Sequence, residues 1–153
     1  MRLFVALDID ESIRARLAQF VQGVQRFAPD ARWISPESLH LTLKFIGEVD
    51  PGELGAVQNA LAGVQAVATA VRIHRTGFFP SARAARVFWV GVQSDARLTA
   101  LAEAVEQALV PLGIAREERA YSPHLTLARS GSGRPGRKPD DRANTRFRLL
   151  EQK

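Results

Sequence analysis

Several features that would narrow the function of a protein are missing from this sequence. It contains no cysteine, so the chain forms no disulfide and holds no metal through thiolates. No apolar stretch approaches the roughly 20 residues that a membrane-spanning helix needs. The apolar run at the N-terminus is too short for a secretory signal, and Asp8 and Asp10 interrupt it. We therefore expect a cytoplasmic protein with no membrane partner.

The size and the hydrophobic content set the scale of the fold. The chain has 153 residues, of which 46% are hydrophobic, which is enough for a well-formed core. A chain of this length forms one compact domain or two small, closely associated lobes. We expect residues 1–153 to form a single bilobal domain, and we expect a monomer.

The net charge of +5 is concentrated at the C-terminal end of the sequence. Residues 1–128 carry 13 basic and 13 acidic side chains, whereas residues 129–153 carry 8 basic and 3 acidic ones. The glycine- and proline-rich stretch 130–140 predicts a flexible basic loop. Such a segment either attracts polyanions or is simply a solvated tail, and the sequence does not decide between the two.

Histidine is scarce as well, yet two of the three histidines share one context. His40 begins the sequence His-Leu-Thr-Leu, and His124 begins the same four residues 84 positions further along the chain. Ser38 and Ser122 precede the two copies at the same distance. A repeat of rare residue types indicates two related halves, each of which delivers one histidine and one threonine. His74 lacks this context, and we expect it to be a solvent-facing strand residue.

If each copy lies on a β-strand, its histidine and threonine point to the same face, because side chains alternate between the two faces of a strand. In the first copy His40 and Thr42 then share one face, and Lys44 follows them on it. The opposite face, which should turn toward the core, carries Leu41, Leu43 and Phe45. In the second copy His124 and Thr126 share a face in the same way.

Histidine titrates near neutral pH and can give or take a proton, and a threonine hydroxyl can donate a hydrogen bond to an anionic oxygen. Two such units that face each other would supply an acid, a base and two hydroxyl donors. That set suits an in-line displacement at phosphorus, where the attacking and leaving oxygens lie on opposite sides. The repeat therefore predicts phosphoester chemistry.

Two other interpretations of the motifs must be weighed. A single His-x-Thr on a strand is usually an ordinary half-buried pair of residues, but the duplication of both polar types argues against this interpretation. A metal site is the second alternative. Two histidines are too few for a closed zinc site, and neither motif contains a carboxylate. We therefore predict no metal.

The hydrophobic pattern predicts nine elements in the order β-α-β-β-α-β-β-α-β. The strands are expected within 2–9, 31–35, 39–46, 70–79, 87–92 and 117–129, and Asp10, Asp50 and Asp95 are expected to begin the helices. This order favours an α+β fold of two pseudo-symmetric lobes. Each lobe would be an antiparallel sheet with outer helices, and a central cleft would lie between the sheets.

At these residues the chain resembles the 2H phosphoesterases, which are named for two His-x-Thr-x motifs. Within that group it is most similar to the bacterial and archaeal RNA 2′,3′-cyclic phosphodiesterases, also called 2′-5′ RNA ligases. The resemblance covers about residues 1–130. It rests on the stretches 2–7, 39–48, 77–80, 86–92 and 121–129. Family members continue beyond the point where this chain ends, so we expect the C-terminal end of the fold to be missing.

The resemblance implies hydrolysis of a 2′,3′-cyclic phosphate at an RNA end to a 2′-phosphomonoester, without metal or cofactor. His40 would be the proton donor to the leaving 3′ oxygen, and His124 would be the base that activates water. The residues that would bind the phosphoryl oxygens are Thr42 and Thr126. Further candidates for substrate contacts are Lys44, Tyr121 and Arg129, although for Lys44 a solvent-exposed position at the strand end is the favoured interpretation.

The partner implied by the resemblance is RNA or an oligonucleotide with a cyclic phosphate end, such as a tRNA fragment. In reverse, the same residues could join that end to a 5′ hydroxyl.

Two alternatives remain open. The chain could have another 2H activity, on 2′-5′-linked oligonucleotides or small cyclic nucleotides, or it could be a non-catalytic RNA-binding module.

Overall fold

A computed structural model of the protein describes residues 1–81 and 83–130. The predicted loop 130–140 lies outside the described residues beyond Ser130. The strands are β1 (Arg2–Leu7), β2 (Arg32–Trp33), β3 (Leu41–Glu48), β4 (Val71–Phe79), β5 (Val87–Ser94) and β6 (His124–Arg129). The α-helices are α1 (Glu11–Val24), α2 (Leu54–Ala62) and α3 (Ala96–Leu109). The predicted order of the nine elements is confirmed.

Helices α1 and α3 begin where the aspartates predicted them to begin. The carboxylate of Asp10 accepts a hydrogen bond from the backbone N–H of Ser12, and that of Asp95 accepts one from Arg97. These bonds satisfy N–H groups that have no partner within the helix. Asp50 caps a short 3₁₀ turn, Pro51–Glu53, and α2 follows this turn directly. Helix α2 therefore begins one 3₁₀ turn later than predicted.

The described chain divides into two compact units. The first contains residues 1–7, 41–72 and 92–123, with α2, α3 and the antiparallel pair β1–β3. The second contains residues 8–40, 73–91 and the described chain from His124 onward, with α1 and most of a four-stranded sheet in the order β2-β6-β5-β4. The prediction of an α+β fold with antiparallel sheets is confirmed. The central cleft and the pseudo-symmetry stay predictions.

Each unit has its own apolar core, and each motif strand contributes to one of them. In the first unit the buried side chains include Leu41, Leu43, Val57, Leu98, Val105 and Leu109. In the second they include Leu17, Val21, Phe88, Leu125 and Leu127. The motif leucines therefore anchor both strands, as the sequence pattern predicted. Among the described residues, no helix is both long enough and apolar enough to cross a membrane.

Candidate active site

His40 follows a short 3₁₀ turn, Pro36–Ser38, and immediately precedes β3. Its Nδ1 atom lies 2.7 Å from the carbonyl oxygen of Ser38. A carbonyl oxygen only accepts hydrogen bonds, so Nδ1 must carry the proton that joins them. The neutral imidazole therefore has its lone pair on Nε2. In the protonated imidazole, Nε2 carries the second proton, and this nitrogen is the one suited to acid–base chemistry.

The register of β3 against β1 contains a bulge within the motif. Thr42 pairs with Ala6 and Lys44 pairs with Val5, so Leu43 is an extra residue without an opposite partner. A bulge of this kind reverses which residues point to which face of the strand. Thr42 consequently lies on the same face as Phe45, which pairs with Phe4.

Lys44 lies on the core side of β3, which corrects the expectation that this residue is exposed to solvent. Only 6% of it is exposed, and its Nζ donates to the two carboxylate oxygens of Glu106 at 3.0 and 2.9 Å. A third hydrogen bond, of 2.9 Å, goes to the carbonyl oxygen of Ala115. All three ammonium protons are therefore used within the first unit. The prediction that Lys44 is exposed was wrong because the bulge turns its side chain inward. That Lys44 contacts a substrate stays a prediction.

Phe45, which the alternation pattern assigned to the core, is 55% exposed. Its strand partner Phe4 is 49% exposed, and the guanidinium of Arg2 lies over the Phe45 ring at 5.2 Å. The prediction for Phe45 was wrong for the same reason as that for Lys44. The face that carries Thr42 therefore also presents two solvent-accessible aromatic rings, a feature that sequence reasoning missed.

The second motif strand, β6, has its bulge at the equivalent position. Thr126 pairs with Trp89 and Ala128 pairs with Phe88, so Leu127 is the extra residue. Ala128 is fully buried, whereas Arg129 is exposed. Because Arg129 pairs with Val87, it lies on the face of the sheet that carries Trp89, Thr126 and His124. A strictly alternating strand would have turned it to the opposite face.

The His124 imidazole packs beside an indole. The ring centroids of His124 and Trp89 are 6.2 Å apart, with an interplanar angle of 55°. The indole lies over Gly77 on the neighbouring strand, where a Cβ atom would overlap the ring. Gly91, which pairs with His124, is equally confined, because a Cβ there would lie 2.8 Å from the carbonyl oxygen of His74. Gly77 therefore makes room for the indole, and Gly91 allows the backbone of the neighbouring strand to approach closely.

The side chain of Tyr121 contacts the backbone of the first motif. Its hydroxyl donates a 2.9 Å hydrogen bond to the carbonyl oxygen of Thr42. Burial raises the pKa of Tyr121 to about 12, so the hydroxyl keeps its proton throughout the physiological range. This bond fixes β3 at the motif threonine. Whether the hydroxyl also reaches a substrate stays a prediction.

The candidate residues are distributed over both units. His40, His124, Thr126 and Arg129 belong to the second unit, and the first unit contains Thr42, Lys44 and Tyr121. That the two imidazoles approach one phosphorus atom stays a prediction. Within the described residues, no three side chains of the metal-binding types (histidine, cysteine, aspartate and glutamate) cluster closely enough to hold a metal ion.

A cleft of about 570 Å³ lies elsewhere in the first unit, lined in part by residues 112–117. Its lining includes Glu48, Glu53 and Glu117, and neither motif histidine nor motif threonine contributes to it. Since none of the four motif histidines and threonines lines it, we do not assign the predicted phosphoester chemistry to this cleft.

Comparison with known proteins supports the assignment made from the motifs. A family model described as LigT-like phosphoesterase matches residues 7–89 and 90–147. An RNA 2′,3′-cyclic phosphodiesterase from Archaeoglobus fulgidus is 35% identical over 129 residues, which cover 84% of this chain and 72% of that protein. The predicted family resemblance is confirmed.

Two crystal structures are also similar to this chain. The structure of TT0787 from Thermus thermophilus matches with a TM-score of 0.75 and 29% identity, over 92% of this chain and 80% of that one. The structure of E. coli LigT complexed with 3′-AMP matches with a TM-score of 0.69 and 29% identity, over 90% and 78% of the two chains. Both matches support the observed α+β architecture.

Proposed function

Because this chain belongs to the LigT-like phosphoesterase family, we propose that it hydrolyses the 2′,3′-cyclic phosphate end of RNA to a 2′-phosphomonoester. The relative from Archaeoglobus fulgidus that carries this activity in its name is similar over most of the chain. The observation that carries the proposal is the repeated motif, with its bulge at the same place in β3 and β6. The two motifs and the strands that contain them supply two histidines, two threonines and one exposed arginine.

In the proposed reaction, His124 takes a proton from a water molecule, and the water oxygen forms a new bond to phosphorus. The bond between phosphorus and the 3′ oxygen breaks, and the protonated His40 gives its Nε2 proton to that leaving oxygen. The tautomer enforced by the Ser38 carbonyl supports this role, because it directs Nε2 away from the backbone contact. Positioned acids and bases typically contribute about 10²–10⁴-fold each.

The threonines and the arginine would stabilise the charge on the phosphoryl group. Thr42 and Thr126 would donate hydroxyl hydrogen bonds to its non-bridging oxygens, and Arg129 would add a cation that can bind two of them at once. The position of Arg129 on the His124 face supports this role. Since these groups are all side chains of the protein, we propose that the reaction needs no metal ion.

The exposed ring of Phe45 suggests where the nucleoside lies. A base of single-stranded RNA can stack on an aromatic side chain, an interaction worth about 1–3 kcal/mol. Phe45 lies on the face of Thr42, so a nucleotide whose phosphate binds there would bring its base toward the ring.

We further propose that the enzyme is a cytoplasmic monomer and that tRNA fragments are among its substrates. The reverse joining reaction is minor, because water competes with the 5′ hydroxyl.

The test is incubation with an oligonucleotide that ends in a 2′,3′-cyclic phosphate, with a chelator present. We expect conversion to the 2′-phosphate. Activity that disappears with the chelator and returns with a metal ion would contradict the metal-independent mechanism. Tight binding without turnover would favour an RNA-binding module, and preference for a 2′-5′-linked oligonucleotide would favour the other 2H activity.

The assignment of the two histidines is tested by replacing each. His40→Ala and His124→Ala should each lower kcat by about 10²–10⁴-fold while the circular dichroism spectrum is retained. His74→Ala is the matched control, because this third histidine lies on β4 outside both motifs. Its rate should equal that of the unaltered protein. Near-normal turnover by either motif variant would reject the mechanism.

A further inference from the structure

Arg14, on helix α1, is an arginine whose charge is directed into the protein. Its side chain is only 11% exposed. One guanidinium nitrogen, Nη1, donates to the carbonyl oxygens of Pro36 at 2.7 Å and Leu39 at 3.3 Å. The other, Nη2, donates to the Asp8 carboxylate and approaches the Ile9 carbonyl at 3.4 Å. The side chain thus connects the helix to two other segments of the second unit.

One of those segments ends at the first motif histidine. Pro36 begins the 3₁₀ turn, and Leu39 is the residue immediately before His40. The carbonyl that accepts the His40 Nδ1 proton belongs to Ser38, which lies between the two carbonyls that Arg14 binds. The contacts of Arg14 therefore bracket the backbone group that sets the tautomer of the imidazole.

The turn also has hydrogen bonds of its own. They run from the Ser38 N–H to the Ser35 carbonyl at 2.9 Å, from the Leu39 N–H to the Pro36 carbonyl at 3.2 Å, and between the hydroxyls of Ser35 and Ser38 at 3.0 Å. The pairing of β3 with β1 begins only at Leu41. An arginine suits the remaining task, because its planar fork can bind several acceptors at once, whereas lysine acts as a point charge.

We propose that Arg14 is a positioning residue for His40. By holding the carbonyls of Pro36 and Leu39, it keeps the Ser38 carbonyl under Nδ1 and so keeps Nε2 directed for proton transfer. The proposal rests on the proposed function only for the role of His40 as an acid. The positional claim itself concerns the backbone and the imidazole, and it is measurable without substrate.

The variants are Arg14→Met, which removes the charge and keeps much of the length, and Arg14→Lys, which keeps the charge and loses the fork. Arg16→Met is the matched control, because Arg16 lies on the same helix and is exposed. With the cyclic-phosphate oligonucleotide, Arg14→Met should lower kcat by about 10–100-fold and leave KM unchanged, since a misplaced catalytic group costs turnover and not binding. Arg14→Lys should recover part of the loss, and Arg16→Met should lose nothing.

Two measurements without substrate separate positioning from a general effect on folding. Nitrogen-15 NMR of the imidazoles should show that Arg14→Met lowers the population of the Nδ1–H tautomer of His40 and leaves His124 unaltered. Amide hydrogen exchange at Leu39 should become faster, while exchange in α3 keeps its rate. If Arg14→Met does not fold, Arg14→Lys decides the question through the same measurements.

A wild-type kcat in Arg14→Met, or in Arg14→Lys where Arg14→Met does not fold, would overturn the proposal. So would a loss of activity with the His40 tautomer and the Leu39 exchange rate both unchanged. If the unaltered protein does not turn over the oligonucleotide, the proposed function fails. The tautomer and the exchange rate then still decide whether Arg14 positions His40.

Discussion

The two motifs have the same four residues, and strands β3 and β6 have the same bulge. The strands differ at the two positions that follow the bulge. After the bulge, the first strand has Lys44 in the core and Phe45 on the motif face. The second strand has Ala128 in the core and Arg129 on the motif face. The shared bulge determines on which face of its strand each of these side chains lies. The residue types at these positions then give the two strands different side chains in the core and on the motif face.

The core positions differ in what they require from the surrounding protein. Ala128 fills its site without any polar partner, whereas Lys44 is stabilised there by Glu106 and a backbone carbonyl. On the motif face, the first strand offers an aromatic surface and the second offers a cation. Under the proposed function, the first strand would contribute more to the binding of the nucleoside and the second more to the chemistry at phosphorus.

The largest effect that we expect comes from breaking the buried pair in the first strand. Lys44→Met leaves Glu106 without its cation in the core and should lower the free energy of unfolding by about 3–5 kcal/mol. Urea unfolding followed by circular dichroism measures the change. The double variant Lys44→Met/Glu106→Leu should regain most of it. Arg116→Met, which breaks an exposed pair with Glu103, is the control and should change little. Equal effects in both single variants would contradict the buried role.

The next largest effect should come from the second strand. Arg129→Ala removes the proposed cation from the phosphoryl group and should lower kcat by about 10²–10³-fold, as the loss of a transition-state donor usually does. Arg129→Lys should regain only part of the rate, because lysine lacks the fork. Steady-state kinetics on the cyclic-phosphate oligonucleotide measures both. An increase in KM at unchanged kcat would assign Arg129 to binding instead.

A smaller and different effect should follow from the equivalent change in the first strand. Phe45→Ala removes the proposed stacking surface and should raise KM about 5–150-fold, which corresponds to a stacking energy of roughly 1–3 kcal/mol. The value of kcat should stay close to normal. Stability should be retained, because the ring is exposed. If Phe45→Ala and Arg129→Ala alter the same kinetic constant, the division of tasks between the strands is wrong.

The smallest effect concerns the bond between Tyr121 and the Thr42 carbonyl. Tyr121→Phe should cost about 0.5–1.5 kcal/mol of stability, the usual value for one hydrogen bond. Because Tyr121 is the only tyrosine, absorbance at 295 nm follows its ionisation alone. Burial raises its pKa to about 12, so the folded protein should form little phenolate at pH 10.

The sign of the corresponding pH dependence follows from the same shift. The unfolded chain releases this proton near pH 10 and the folded chain releases it near pH 12. The stability that Tyr121 contributes is therefore complete below pH 10 and is lost as the pH rises toward 12. Tyr121→Phe should lack this component of the alkaline loss. A native titration midpoint at pH 10 would show that the hydroxyl is accessible to solvent.

The sequence allowed the motifs, the family and the order of elements to be predicted, because these depend on residue types and on local periodicity. The faces on which residues 44, 45, 128 and 129 lie could not be predicted, because a leucine in a bulge cannot be told from any other strand leucine in the hydrophobic pattern. Strict alternation therefore assigned Lys44 and Phe45 to the wrong faces of the strand. One signal was present: Glu106 lies on the buried stripe of α3, and an acid at such a position indicates a buried cation.

The contact between Trp89 and His124 has a practical consequence. Indole fluorescence is quenched when a neighbouring imidazole becomes protonated, and the chain has only one other tryptophan, Trp33. Replacing Trp33 by phenylalanine would leave a protein whose emission reports the charge of one histidine. The space that Gly77 leaves for the indole thus gives the second motif a fluorescent reporter of its own.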